Sequence, residues 1–155
     1  MKVFRIEREK YLSTTLRGIG AAMSNGFRWN SKYTHLVYTA ESRSLAMLEV
    51  SVHLDWSEDL PTDRFFVEIE IPDDIDIAEI SPEDLPSNWD AKPPSTATQY
   101  IGDDFVYQEF AAVLKVPSAI ISQEFNFLIN PLHPDAKKIK VISSNKMLFD
   151  KRWKV

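Results

Sequence analysis

The clearest alternation in the chain runs Phe65-Phe66-Val67-Glu68-Ile69-Glu70-Ile71, with Phe65, Val67, Ile69 and Ile71 on one face and Glu68 and Glu70 on the other. A period of two is that of a strand with one face on a core and one toward water. Val3 to Ile6 and Leu36 to Thr39 read as shorter strands, the second β-branched and aromatic in character. Between Ser42 and Leu54 the period changes. Leu45, Leu48 and Val52 recur at spacings of three and four, which places them on one face of a helix that Ser42 or Ser44 would cap. On that helix Glu49 and His53 stand one turn apart. A second amphipathic helix is predicted from Asp103 to Ala112, with Asp103 and Asp104 at its positive amino end. The last third reads as four short strands: Val113 to Val116, Ala119 to Ser122, Asn126 to Ile129 and Ile139 to Ile142.

Two stretches break these periods. Ser13 to Asn30 holds Gly18, Gly20 and Gly26, three of the four glycines, and reads as loop-rich. Residues 72–98 carry five prolines and many acids, and read as a surface excursion that Trp89 pins to the body. Strands and helices do not alternate regularly. The fold class is therefore α+β, short mixed or antiparallel strands with a few helices, in one domain over residues 1–155.

Composition narrows the classes. At 44% apolar and 26% charged residues the chain is ordinary for a globular domain. With no cysteine it offers neither thiol chemistry nor a thiolate metal site, which suits a reducing compartment. The amino terminus carries charges rather than an apolar leader core, and no apolar run approaches the ~18 residues of a membrane span. The expected location is the cytoplasm, with no membrane partner. A net charge of −5 argues against direct, non-specific nucleic-acid binding and makes a nuclease a poor reading.

The candidate chemistry is scattered. Arg28, in Asn25-Gly26-Phe27-Arg28-Trp29-Asn30, follows a tight turn and is flanked by aromatics. Such a guanidinium either grips carboxylate or phosphate oxygens or stacks on Trp29 at the surface. Glu49 lies among small and apolar residues, so it is either solvated or semi-buried with a partner, since an unpaired buried charge is costly. Ser118 follows Pro117 at a strand break with no Gly-x-Ser-x-Gly elbow around it. Its hydroxyl is suited to bonding a ligand or to capping a turn, and not to a hydrolase nucleophile. Gly18-Ile19-Gly20 lacks the third glycine of a dinucleotide fingerprint. His35, His53 and His133 lack metal-ligand spacing, so no metal is expected.

Taken together and in order, these pieces resemble the RES domain family. The resemblance runs through Asn25 to Asn30, Val37 to Ala40, Ala46 to Leu54, Leu85 to Trp89, Thr98 to Asp103, Leu114 to Ala119, Asn126 to Pro134 and Phe149 to Arg152. The arginine, glutamate and serine of the family's name fall on Arg28, Glu49 and Ser118. Phe27 departs from the pattern, standing where a glycine is expected before the arginine, and a ring there narrows the mouth of the pocket.

The resemblance implies a fold similar to that of ADP-ribosyltransferases and a toxin of a type II toxin–antitoxin pair that consumes NAD. Its catalytic residues would be Arg28, Glu49 and Ser118. Tyr38, Asn126, Asn130 and His53 would join them in holding the NAD, with Tyr38 stacking on or hydrogen-bonding the nicotinamide end. Cleavage of the nicotinamide–ribose bond by hydrolysis or phosphorolysis is the expected reaction. The alternatives are transfer of ADP-ribose to a protein and, from another class, a non-catalytic partner-binding module. The implied partner is an Xre-like helix-turn-helix antitoxin that blocks the pocket and supplies any contact with DNA, the toxin being a homodimer within the larger complex. In the usual transferases of that fold the key glutamate precedes or sits on a strand, whereas the pattern here puts Glu49 on a helix.

Overall fold

Seven strands form one mixed sheet in the computed structural model, which describes residues 1–153. In spatial order they are β4 (Ile77–Glu79), β5 (Val113–Pro117), β6 (Phe125–Ile129), β2 (Val37–Ala40), β1 (Lys2–Arg8), β3 (Arg64–Glu70) and β7 (Lys140–Met147). Only β4 and β5 pair in parallel; every other neighbouring pair is antiparallel. The α+β expectation holds.

Alternation along the strands gives the sheet two apolar faces. On one face Val3, Val37, Val67, Ile69, Val113, Phe127 and Ile129 form a core with Leu12 and Leu16, from and just after the 3-10 turn Glu9–Thr14. The other face is shared by two helices. Phe4, Ile6, Ala40 and Phe66 lie with Leu45 and Ala46 of α2 (Arg43–Ser51), while Tyr38, Leu114, Val116 and Leu128 lie with Phe105 and Val106 of α3 (Thr96–Gln108). The register sets Phe4 beside Ala40, Ala40 beside Asn126, and Asn126 beside Val116. Asn126 therefore stands at the seam between the ground covered by α2 and that covered by α3.

Several local expectations change. The cap of α2 is Ser42, whose side chain accepts from the Leu45 N–H at 3.0 Å. The helix stops at Ser51, short of Leu54, and its buried stripe is Leu45 and Ala46 with Met47 and Val50 beside them. Val52 stays 55% exposed, because it falls at the C-cap, past the end of the helix. Glu68 does not simply face water. Its side chain is only 13% exposed because Lys2 (2.6 Å) and Arg43 (2.5 Å) fold over it.

The second helix begins earlier than its acids suggest. Ser95, directly after Pro93-Pro94, caps α3, so Asp103 and Asp104 sit in its interior rather than at its amino end. Ala119 to Ser122 is a turn and not a strand, for a reason that belongs to Ser118 below. Residues 72–98 are more than an excursion, since they supply β4 at the sheet edge. Trp89 does pack against the α3 side of the core. Within 13–30 lies a short helix α1 (Ile19–Met23), entered through Gly18 in a left-handed conformation. A side chain at Gly18 would meet the Leu36 nitrogen at 2.6 Å. No helix among the described residues is long and apolar enough to cross a membrane.

Candidate active site

Glu49 leaves the last full turn of α2 half-buried, facing the seam of the sheet. Its Oε1 accepts two hydrogen bonds, from the Ser118 hydroxyl at 2.8 Å and from the Asn126 amide at 2.6 Å. Ser118 comes at the end of β5 and is fully buried. Its Oγ also accepts from the Ile120 and Ile121 N–H groups at 3.1 and 3.2 Å, which is what bends 119–122 into a turn. The turn-cap reading of this serine is realised, and its one proton goes to Glu49 rather than being left for a ligand. Among the described residues Oε2 of Glu49 receives no hydrogen bond, and it is not a buried orphan. One oxygen is fixed and the other is available.

Arg28 is half-buried and fastened from one side. Its Nη1 donates to the carbonyl oxygens of Trp89 (2.7 Å) and Ala91 (3.0 Å), so the 72–98 stretch holds this guanidinium in place. Burial lowers its pKa, opposed by the charges of Glu49 and Asp90, and it remains a cation at any ordinary pH. Arg28 and Glu49 feel each other through space without forming a direct ion pair. Two opposite charges held apart, each with unused hydrogen-bonding capacity, suit a ligand that carries both an anionic group and hydroxyls.

Tyr38 of β2 is half-buried, with its hydroxyl turned inward. That hydroxyl donates to Asn30 Oδ1 at 2.7 Å and accepts from the Trp29 N–H at 3.1 Å. Burial pushes its pKa far above the usual tyrosine value, so it stays neutral. Hydrogen bonding by Tyr38 to a ligand is therefore already foreclosed, whereas its ring remains usable. Asn30 is completely buried and donates to the Ala21 and Ser31 carbonyls at 3.0 Å each. The loop over 27–31 is braced against α3 as well. Asp103 accepts from the Ser31 N–H (3.0 Å) and hydroxyl (2.5 Å), and Gln99 donates to the Phe27 carbonyl at 3.0 Å. A Cβ on Gly102 would stand 1.6 Å from the Trp29 carbonyl oxygen, so helix and loop touch backbone to backbone. Phe27 itself is 41% exposed and meets Tyr38 edge to face, with ring centroids 5.7 Å apart at 86°.

Two expected residues lie apart from this group. Asn130 is completely buried, and its amide is used up by the backbone: Nδ2 donates to the Val106 carbonyl at 3.1 Å and Oδ1 accepts from the Leu132 N–H at 3.0 Å. It ties the end of β6 to α3, and its complete burial keeps it from a ligand. His53 falls beyond the end of α2, exposed in the following turn, because the helix stops before it could carry the histidine above Glu49. Among the described residues no three His, Asp or Glu side chains gather as metal ligands. Two shallow hollows of about 300 and 370 Å³ open elsewhere, one beside Arg17, His35 and Leu132 and one beside Met47, Phe66 and Trp153. Neither is lined by Arg28, Glu49 or Ser118.

What sequence reasoning missed is the support. Asn30 was visible only as a member of a family-like segment, Asp103 was read as an acid at a helix amino end, and the carbonyls of Trp89 and Ala91 carry no side-chain signal at all.

Comparison with known proteins follows the same residues. The model of the RES domain family matches residues 2–150. A Sphingobium sp. (strain YBL2) protein named "Prs ADP-ribosylating toxin" is 44% identical over 144 residues, covering 92% of this chain and 88% of that one. A "Toxin Res" of Photorhabdus laumondii subsp. laumondii is 40% identical over 139 residues, covering 89% and 86%. Among solved structures, a chain in the crystal structure of the M. tuberculosis MbcT-MbcA toxin-antitoxin complex superposes with a TM-score of 0.75 over 95% of this chain and 84% of that one. At 15% identity that last likeness speaks to the fold.

Proposed function

Since this chain belongs to the RES domain family, we propose that it is the toxin of a toxin–antitoxin pair and that it breaks the bond between nicotinamide and ribose in NAD. The observation that carries this reading is the Glu49 carboxylate, fixed through Oε1 by Ser118 and Asn126 with Oε2 left open, across a gap from Arg28.

NAD suits such a site. Its nicotinamide is cationic while bound to ribose and leaves as a neutral ring, taking the bonding electron pair, so the departing group needs no proton. Positive charge then develops at the ribose C1′. A carboxylate aimed beforehand stabilises that charge or holds a ribose hydroxyl, without reorganising during the reaction. Arg28 binds the pyrophosphate through the donors that Trp89 and Ala91 leave unused. The half-buried ring of Tyr38 offers a surface to the nicotinamide end. Ser118 and Asn126 act through Glu49 as positioning residues, and water or phosphate takes the ADP-ribose.

Purified protein is expected to consume NAD and release nicotinamide, followed by chromatography with and without added phosphate. Glu49→Ala should lower the rate by about 10²–10³-fold, the usual effect of removing one aimed electrostatic group. Equal NAD remaining in wild-type and Glu49→Ala reactions would remove the proposal.

A second acceptor has its own support, in the printed name of the 44% identical Sphingobium relative. ADP-ribose passed to a protein would leave labelled NAD's ADP-ribose bound covalently to that protein; hydrolysis or phosphorolysis would leave all label in small molecules. The partner we propose is an antitoxin with a helix-turn-helix DNA-binding domain. A toxin of net charge −5 suits a pair in which the partner makes the DNA contact.

A further inference from the structure

We propose that Phe27 is a stacking platform for one planar heterocycle of the dinucleotide, and so sets the affinity and selectivity of the site. This rests on the NAD reading above.

Several aromatic residues of this chain are exposed, Tyr33, Tyr100 and Tyr107 among them. Phe27 adjoins Arg28 in sequence and Tyr38 in space. Its ring keeps 41% of its surface open, yet it is not loose. Gly26 turns the chain at φ +106°, Gln99 holds the Phe27 carbonyl at 3.0 Å, a bridge pairs Phe27 with Asn30, and Tyr38 supports the ring edge to face. An apolar ring fixed in the open gives contact area whose conformational cost is met before any ligand arrives.

The neighbouring chemistry names the ligand class. In a nucleotide a planar base stands one sugar away from a phosphate. Here an open ring stands one residue away from a guanidinium with free donors. Tyr38, half-buried and in edge contact with Phe27, leaves room for a second and more open ring. Base stacking tolerates any heterocycle, so adenine and nicotinamide are chemically equivalent candidates, and experiment separates them.

The test measures calorimetric binding of adenosine monophosphate and of nicotinamide to the full chain, wild type, Phe27→Ala, Phe27→Leu and Phe27→Trp, each checked for an unchanged melting temperature. One of the two probes should bind about tenfold more weakly to Phe27→Ala, the scale of one lost stack. Phe27→Leu, which keeps bulk without a π-face, should be similarly weak, and Phe27→Trp should restore binding. The KM for NAD should rise in parallel while kcat stays within about twofold, the mark of uniform binding. Equal binding of both probes to wild type and Phe27→Ala overturns the platform while leaving NAD consumption intact. Full affinity in Phe27→Leu overturns stacking in favour of bulk. A wild type that neither binds the probes nor consumes NAD overturns the platform together with the NAD reading.

Discussion

Ser118 shows how much one hydroxyl can be asked to do. It donates to Glu49 and accepts from two backbone N–H groups, which fills its whole hydrogen-bonding capacity. Ser118→Ala should therefore have two separable effects. Leaving buried N–H groups unmet costs about 1–3 kcal/mol, visible as an earlier midpoint in urea. Releasing Glu49 should lower NAD turnover at temperatures where the variant is still folded, and normal turnover there would reduce the serine to a turn cap. At this scale the sequence was informative about residue type and silent about partners. The local signals of Arg28, Glu49 and Ser118 (an aromatic-flanked turn, a charge in an apolar stretch and a proline-serine break) left structural readings open, and it was their order and the family resemblance that singled them out. Asn130 looked as suitable as Asn126. Only the fold decides between them, because Asn126 comes to the helix seam whereas Asn130 is consumed by Val106 and Leu132.

Between elements, the decisive contact is where α3 meets the loop that carries Arg28. Gly102 exists there because no other residue fits 1.6 Å from the Trp29 carbonyl. Gly102→Ala should cost about 3 kcal/mol by overpacking, and it should also weaken NAD use by moving Trp29, Tyr38 and Arg28 together. Gly20→Ala is the matched control. It has nothing within 4 Å in α1 and should be neutral or stabilising by about 0.5–1 kcal/mol in the same denaturation experiment. Elements with strong internal periods, β1, β2, β3 and α2, were legible to within a few residues. The start of α3 was not, because Ser95 after two prolines is a weaker cue than the acidic pair at Asp103 and Asp104. Asp103 is spent instead on Ser31, a loop contact that periodicity cannot foretell.

For the molecule as a whole, the sheet order was beyond the sequence. Local patterns predict strands, but the pairing of β2 with β6 and of β5 with β4 depends on segments far apart in the chain. The expected biological outcome also belongs at this scale. Induced expression without an antitoxin should arrest bacterial growth, and Glu49→Ala at equal protein level should not. Arrest by both proteins would assign the toxicity to something other than the carboxylate.

The two bonds that aim Glu49 come from residues 69 and 77 positions further along the chain. A protein is synthesised from its amino end, so Glu49 leaves the ribosome well before the serine and asparagine that direct it. Until β5 and β6 have been made and have joined the sheet, the growing chain holds an unaimed carboxylate. On the proposed reading, the aim of Glu49 depends on long-range pairing that cannot form before residue 126 has been made.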